Sequence, residues 1–241
     1  MTEREMNRAL ALLCVKPDHI WCHFLNDFQD YAIYVILDDA DADLTEFDQY
    51  HNISFIKIDN DKCEQHGYVD MNFLLEKRIT AWEKAVYYFA NENTQFDQVW
   101  FLEDDVFFVE EATLQRIDAE YLEGDLLSNS LTTKTDDRRN YWHWWRVEIK
   151  YPLPYYGGMM CIVRMSRPLL ERLAEYAAEH HTLFFLEALF PTVAYKNGLV
   201  CISPPEFREI RHRHDFEKKD INSTTLYHPI KKLENHVLFR A

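Results

Sequence analysis

The feature that most constrains this chain is a series of apolar runs in its first half: ALALLCV at Ala9–Val15, YAIYVIL at Tyr31–Leu37, ISFIKI at Ile53–Ile58 and QVWFL at Gln98–Leu102. Successive side chains of a strand point to opposite faces, so a continuously apolar run must be covered on both. The segments between the runs have helical spacing instead. His19–Phe28 places Ile20, Phe24, Leu25 and Phe28 on one face. Asp70–Asn91 sets Met71, Leu75, Ile79, Trp82, Val86 and Phe89 on one stripe, which predicts a long amphipathic helix. Strands needing cover on two sides, alternating with one-faced helices, predict an α/β fold: a Rossmann-type, mostly parallel central sheet with helices on both faces.

The second half is less regular. Ala112–Tyr121 reads as a short helix and the polar Leu126–Asn140 as a loop. Tyr155–Val163 carries the Gly157-Gly158 pair and continues as an apolar strand. Ser166 can cap a helix opening at Arg167-Pro168 and running to about Glu179, since proline suits a first helical turn. Thr182–Lys196 predicts a further helix, kinked at Pro191 and ended by Gly198. Leu199–Ile202 reads as a strand, and the segment after Pro204 as an irregular, charged tail. With 241 residues and no internal repeat or low-complexity linker, a single domain spanning 1–241 is expected.

The net charge of −15 argues against a nucleic-acid partner, because neutralising a phosphate backbone needs a basic face. A phosphorylated small molecule is still compatible, since a bound cation inverts the local sign of a site. The five cysteines contain no CxxC pair, and Cys14, Cys161 and Cys201 lie in apolar runs, so they read as core thiols of a reducing compartment. No apolar run approaches the roughly 20 residues that cross a bilayer. The N-terminal MTEREMNRAL lacks the apolar core of a signal peptide. The expected location is the cytoplasm, the alternative being a soluble catalytic domain cut from a membrane-associated enzyme.

Parallel strands end at one edge, and ligands of open α/β sheets bind outside that edge. Asp38-Asp39 follow the second run, Asp59 the third and Glu103-Asp104-Asp105 the fourth. Two unit charges about 4 Å apart repel by a few kcal/mol at an intermediate dielectric, so such a gathering calls for bulk water or a cation. Alternation along the strand puts Glu103 and Asp105 on one side and Asp104 on the other. Oxygen-only ligation favours Mg²⁺ or Mn²⁺. An acidic turn with nothing bound is the competing reading, and the flanking VWFL and VFF weigh against it.

Alternating strands, a long helix and an apolar strand ending in Glu103-Asp104-Asp105 resemble the nucleotide-sugar domain of GT-A glycosyltransferases, whose DxD motif often appears as Glu-Asp-Asp; the triplet is similar to that of the N-acetylglucosaminyltransferase I type. The resemblance implies a GT-A-like domain with a nucleotide-binding half, 1–110, and an acceptor-binding half with a C-terminal tail, 111–241. It implies Asp105 as principal metal ligand, Glu103 in support and Asp104 near the ribose. Asp38 or Asp39 would contact the base. In Tyr227-His228-Pro229-Ile230-Lys231-Lys232, His228 would complete the metal site and Lys231 or Lys232 would face the diphosphate. The implied partners are a UDP- or GDP-type sugar donor and a carbohydrate or other hydroxyl acceptor.

Glu187 is a lone acid in the apolar Leu183–Phe190, where burial would raise its pKa toward a value useful for a general base. The alternative is an acid that reaches the surface or pairs with an arginine. Trp142, Trp144 and Trp145 in NYWHWW, with Tyr155 and Tyr156, suit the faces of an acceptor sugar, although core packing is the commoner use of such clusters. Gly157 and Gly158 would let backbone pass close to the donor sugar. Arg78 and Lys77 would approach the phosphates, or else form an exposed basic face. Inversion with Glu187 as base, retention of configuration, and a non-catalytic nucleotide- or carbohydrate-binding module remain open on these residues. A nucleotidyltransferase would carry a glycine-rich loop after the first strand, where this chain reads KPDHIW.

Overall fold

The computed structural model describes residues 6–72, 78–134 and 149–241. Five strands form the frame around the acidic edge: β1 (Arg8–Cys14), β2 (Ala32–Leu37), β3 (Ile53–Lys57), β4 (Gln98–Glu103) and, antiparallel to β4, β6 (Tyr155–Ser166). With β5 (Leu126–Lys134) and β7 (Cys201–Ile202) they make a seven-stranded sheet in the order β3-β2-β1-β4-β6-β5-β7. Within this sheet only the pairings made by β6 are antiparallel among the described residues, so the sheet is mixed and mostly parallel.

The continuous apolar runs explain the layering. Ala9, Ala11 and Leu13 of β1 enter one core, while Leu10, Leu12 and Cys14 enter another on the opposite face. The first core is roofed by α3 (Ala81–Tyr87), α5 (Arg167–His180) and α6 (Leu186–Lys196). The second is roofed by α1 (His19–Asn26) and α4 (Glu111–Glu120). The sheet is therefore covered on both faces, as its composition requires. No helix among the described residues is long and apolar enough to cross a membrane.

Four local expectations are corrected. Among the described residues of the helix expected over Asp70–Asn91, helical structure begins at Ala81 and passes into a π turn at Tyr88–Glu92. Asp70 sits at φ 71, a conformation no right-handed helix admits. Thr80 and Glu83 then form a capping box that fixes the later start. Arg78 consequently precedes the helix rather than lying on it. The polar Leu126–Asn140 is not a loop throughout, because Leu126–Lys134 is β5, held between β6 and β7. Register shifts on both sides of Asn129 and a left-handed Ser130 (φ 57) break its alternation. The helix expected from Thr182 begins at Leu186, because Leu183 and Leu186 spend their amides on the carbonyls of Val69 and Met71.

The tail after Pro204 is ordered rather than irregular. It supplies β8 (Glu209–Ile210) and β9 (Tyr227–His228), paired in parallel, and α7 (Leu233–Arg240). A short helix α2 (Asn60–Gln65) follows β3. The helix at Arg167 is capped by Ser166 as expected, and Gly198 leaves α6 at φ 70.

Candidate active site at the acidic edge

Backbone anchoring accounts for the three acids inside VWFLEDDVFF. The indole of Trp21 donates to the Asp104 carbonyl at 2.8 Å, and the amide of Ile230 donates to the Asp105 carbonyl at 2.7 Å. Phe107 and Tyr227 exchange both backbone hydrogen bonds, at 2.8 and 2.9 Å. The apolar flanks hold the main chain in the core while the carboxylates stay at the rim. Glu103 and Asp105 are half-buried and Asp104 is exposed.

The same zipper delivers His228. Its Nδ1 is 2.7 Å from the carbonyl of Arg211, which can only accept, so Nδ1 carries the proton and Nε2 faces the acids. Nε2 lies 3.2 Å from Oδ1 of Asp105. That oxygen is buried and accepts no aligned hydrogen bond, so the contact is electrostatic. Burial opposes a charged imidazole here, but Asp105, the Arg211 carbonyl and Glu103 outweigh it and hold the His228 pKa above its usual value.

Glu103 accepts from the Trp82 indole at 2.8 Å. Burial, with the charges of Asp105 and Asp104, pushes its carboxyl up to about 7 against the opposing effects of Trp82 and His228. Glu187, in the first turn of α6, is also raised to about 7, first by burial and then by the charge of Glu103. Asp104, the most exposed of the three, is raised by partial desolvation of its carboxyl and then by the charge of Asp105. These are acids set apart from ordinary solvated carboxylates by shared, partly dry surroundings.

Cys161 was expected in the core, yet it is half-buried and stands among these acids. It belongs to the β6 strand that pairs with β4, one residue beyond the Leu102–Ile162 pair. Burial pushes its thiol up, and Glu103, Asp105 and Glu187 all add to the shift. One donor atom each from Glu103, Cys161 and His228 lie within 4.8 Å of one another. The ligand set expected from the sequence, Glu103, Asp105 and His228, does not include this sulfur. Only the antiparallel pairing of β6 with β4 reveals it.

Asp38 and Asp39 line a separate cleft of about 570 Å³ beyond β2 and β3, with Asp41, Asp59, Lys62 and Lys84. Oδ2 of Asp38 pairs with Arg78 at 2.7 Å, and Lys84 donates to the Asp38 carbonyl at 2.7 Å. Arg78 thus meets the acids rather than standing on a basic face. Lys231 and Lys232 are exposed and line a cleft of about 760 Å³ with His212, Arg213 and His214.

Tyr156 stacks on Tyr195 at 4.1 Å and is tied through its backbone to Thr192, while Tyr155 packs against the core on the α6 side of the sheet. Gly157 and Gly158 are buried in β6. A Cβ on Gly158 would sit 3.0 Å from the Asn129 carbonyl and 2.8 Å from the Met160 methyl, so strand packing already accounts for that glycine. Trp142, Trp144 and Trp145 lie outside the described residues.

No protein-family model and no curated protein matches this sequence. Among solved structures, the chain is similar to the galactosyltransferase LgtC in complex with donor and acceptor sugar analogs, at 12% identity and a TM-score of 0.49, covering 98% of this chain and 95% of that one. An active-site mutant of LgtC gives 11% identity and a TM-score of 0.49 over 97% and 95% of the two chains. A197 from STIV gives 15% identity and a TM-score of 0.31 over 69% and 68%.

Proposed function

We propose that this protein is a metal-dependent glycosyltransferase that moves a sugar from a UDP- or GDP-type nucleotide sugar to a hydroxyl acceptor. The observation that carries the reading is convergence: His228 is returned by the C-terminal segment to within 3.2 Å of Asp105, beside Glu103. The donor set suits a divalent ion, because His228 keeps Nε2 directed at the acids while its other nitrogen is held by a carbonyl. Mn²⁺ or Mg²⁺ would be held by Glu103, Asp105 and His228 and would supply charge neutralisation for a leaving diphosphate.

The remaining roles belong to the chain itself. Lys231 and Lys232 supply positive charge on the cleft next to His228, where a diphosphate would lie. Asp38 or Asp39 contacts the base from the cleft beyond β2, where Arg78 pairs with Asp38, and Asp104 approaches the ribose. Glu187 is the general base: with a pKa near 7 it takes the proton of an acceptor hydroxyl as that oxygen attacks, giving inversion. Tyr155 and Tyr156, next to Gly157-Gly158, mark the acceptor side, to which Trp142, Trp144 and Trp145 are also assigned.

The test is a thermal-shift screen of UDP- and GDP-sugars in Mn²⁺ and in chelator. Ligand binding to the native state raises the melting temperature by mass action. A donor that stabilises the protein only with Mn²⁺, and fails to stabilise Asp105→Asn, supports the reading. Nucleotide affinity unchanged in that variant and indifferent to chelator would refute it. Donor hydrolysis in the same samples separates an enzyme from a module that merely binds.

A further inference from the structure

We infer that the metal centre is a mixed sulfur–nitrogen–oxygen site, in which the Cys161 thiolate joins Nε2 of His228 and a Glu103 carboxylate oxygen on a single thiophilic divalent ion of the Zn²⁺ type. The inference rests on the metal-dependent reading above and changes what that reading expects of the ion. Two independent features carry it.

The first is reach. Zinc takes Cys, His and carboxylate donors at about 2.0–2.3 Å, which places neighbouring donors of a tetrahedral ion roughly 3–4 Å apart. Donor atoms of Glu103, Cys161 and His228 already fall within 4.8 Å of one another, so small side-chain rotations close the set. Asp105 stands outside that trio, with its buried Oδ1 3.2 Å from Nε2.

The second is how the histidine is held. His228 is 7% exposed, and its Nδ1–H is committed to the Arg211 carbonyl. A backbone acceptor on the far nitrogen is the usual device that fixes the tautomer of a metal-binding imidazole and aims its lone pair. Here that lone pair belongs to Nε2. The strand pairing fixes the third donor, since β6 runs antiparallel to β4 and sets Cys161 beside Glu103.

Loading the site is a ligand exchange without redox change. The thiol loses its proton to solvent as the metal–sulfur bond forms, and any proton on Nε2 leaves with it. A sulfur donor favours Zn²⁺ or Co²⁺ over Mn²⁺ and Mg²⁺ by more than the general affinity order does.

Co²⁺ alone, titrated into the full chain, is the probe. The expected result is an intense near-ultraviolet thiolate-to-cobalt band that Zn²⁺ displaces. In Cys161→Ser the band disappears while cobalt still binds, and the Zn²⁺-over-Mn²⁺ preference falls about ten-fold or more. On the wild-type chain, Zn²⁺ should protect Cys161 from iodoacetamide in peptide mapping and leave Cys201 unchanged. That arm decides the matter if Cys161→Ser does not fold. Cobalt bound with a weak octahedral spectrum, and alkylation of Cys161 undiminished by Zn²⁺, would overturn the sulfur assignment and leave the metal reading standing. No binding of Co²⁺, Zn²⁺ or Mn²⁺ would overturn both.

Discussion

Glu187, half-buried, and Asp118, fully buried, are acids of opposite kinds. Glu187 prefers its proton in the fold, with a pKa of about 7 against 4.5 for an ordinary glutamate. A raised acid contributes stability that is complete below about pH 4.5 and is lost as pH rises through 7. Glu187 is partly exposed, so the loss at pH 8 is on the order of 1–2 kcal/mol. Glu187→Gln, which cannot ionise, should melt with wild type at pH 4.5 and above it at pH 8 in chelator, while donor binding persists and sugar transfer is abolished. Equal melting at both pH values would show that the carboxylate is not held in a dry site. Asp118 is instead fully paired: Arg164 at 2.7 Å, the Tyr31 hydroxyl at 2.5 Å and the Trp100 indole at 3.1 Å. Removing one partner of a buried pair leaves the other charge uncompensated. Asp118→Ala should therefore cost about 3–5 kcal/mol in urea unfolding, whereas substitutions at the acidic edge should cost far less. The core needs Asp118 paired, and the proposed chemistry needs Glu187 unpaired.

At the scale of elements, α3 shows why a helix begins where it does. Thr80 accepts from the Trp82 amide at 3.3 Å and from the Asn72 amide group at 2.8 Å, and Glu83 accepts from the Thr80 amide at 2.9 Å. Because the box is buried, Thr80→Ala removes a cap worth about 1 kcal/mol and leaves Asn72 and Glu83 short of partners. We expect a total loss of about 2–3 kcal/mol in chemical denaturation, with Thr80→Ser recovering most of it. The box also shows where the sequence could and could not be read. The stripe from Met71 to Phe89 has helical spacing, yet Met71 and Ile79 are buried from non-helical backbone, so periodicity alone reported burial rather than conformation. The strands β1 to β4 were legible because continuous apolar runs have few other uses. The strand β5, held between β6 and β7, was not, since its bulge and its Ser and Thr residues imitate a loop. The candidate site divides in the same way. Its acids could be read because they end strands. Cys161 could not, because its position depends on an antiparallel pairing that no local pattern announces.

The whole molecule places the proposed metal site under the hold of its own C-terminus, and that hold depends on a neutral histidine. His236 of α7 is fully buried between Trp21 and Phe107, and one of its nitrogens is 2.9 Å from the Ile230 carbonyl. Burial pushes its pKa down to about 4; the charge of Arg240 adds to this, and the Ile230 carbonyl and Asp105 oppose it. Arg240 itself is lowered to about 9 by burial, with its guanidinium 3.5 Å over the Phe24 ring. A histidine depressed in the fold contributes stability that is complete above its unfolded value, near 6.5, and is lost as pH falls toward 4. The loss is about 3 kcal/mol, opposite in direction to that from Glu103 and Glu187, so the pH profile should be a dome. His236→Leu should flatten the acid limb between pH 6.5 and 4 in thermal melts, whatever its own stability at neutral pH. The same protonation loosens α7 against Trp21 and Phe107, and through Ile230 the segment that carries His228. Hydrogen exchange at pH 4.5 should therefore show the amides of Tyr227 and Ile230 opening while those of β1 and β4 stay protected. Simultaneous loss in both places would mean that the C-terminal hold and the sheet unfold as one unit.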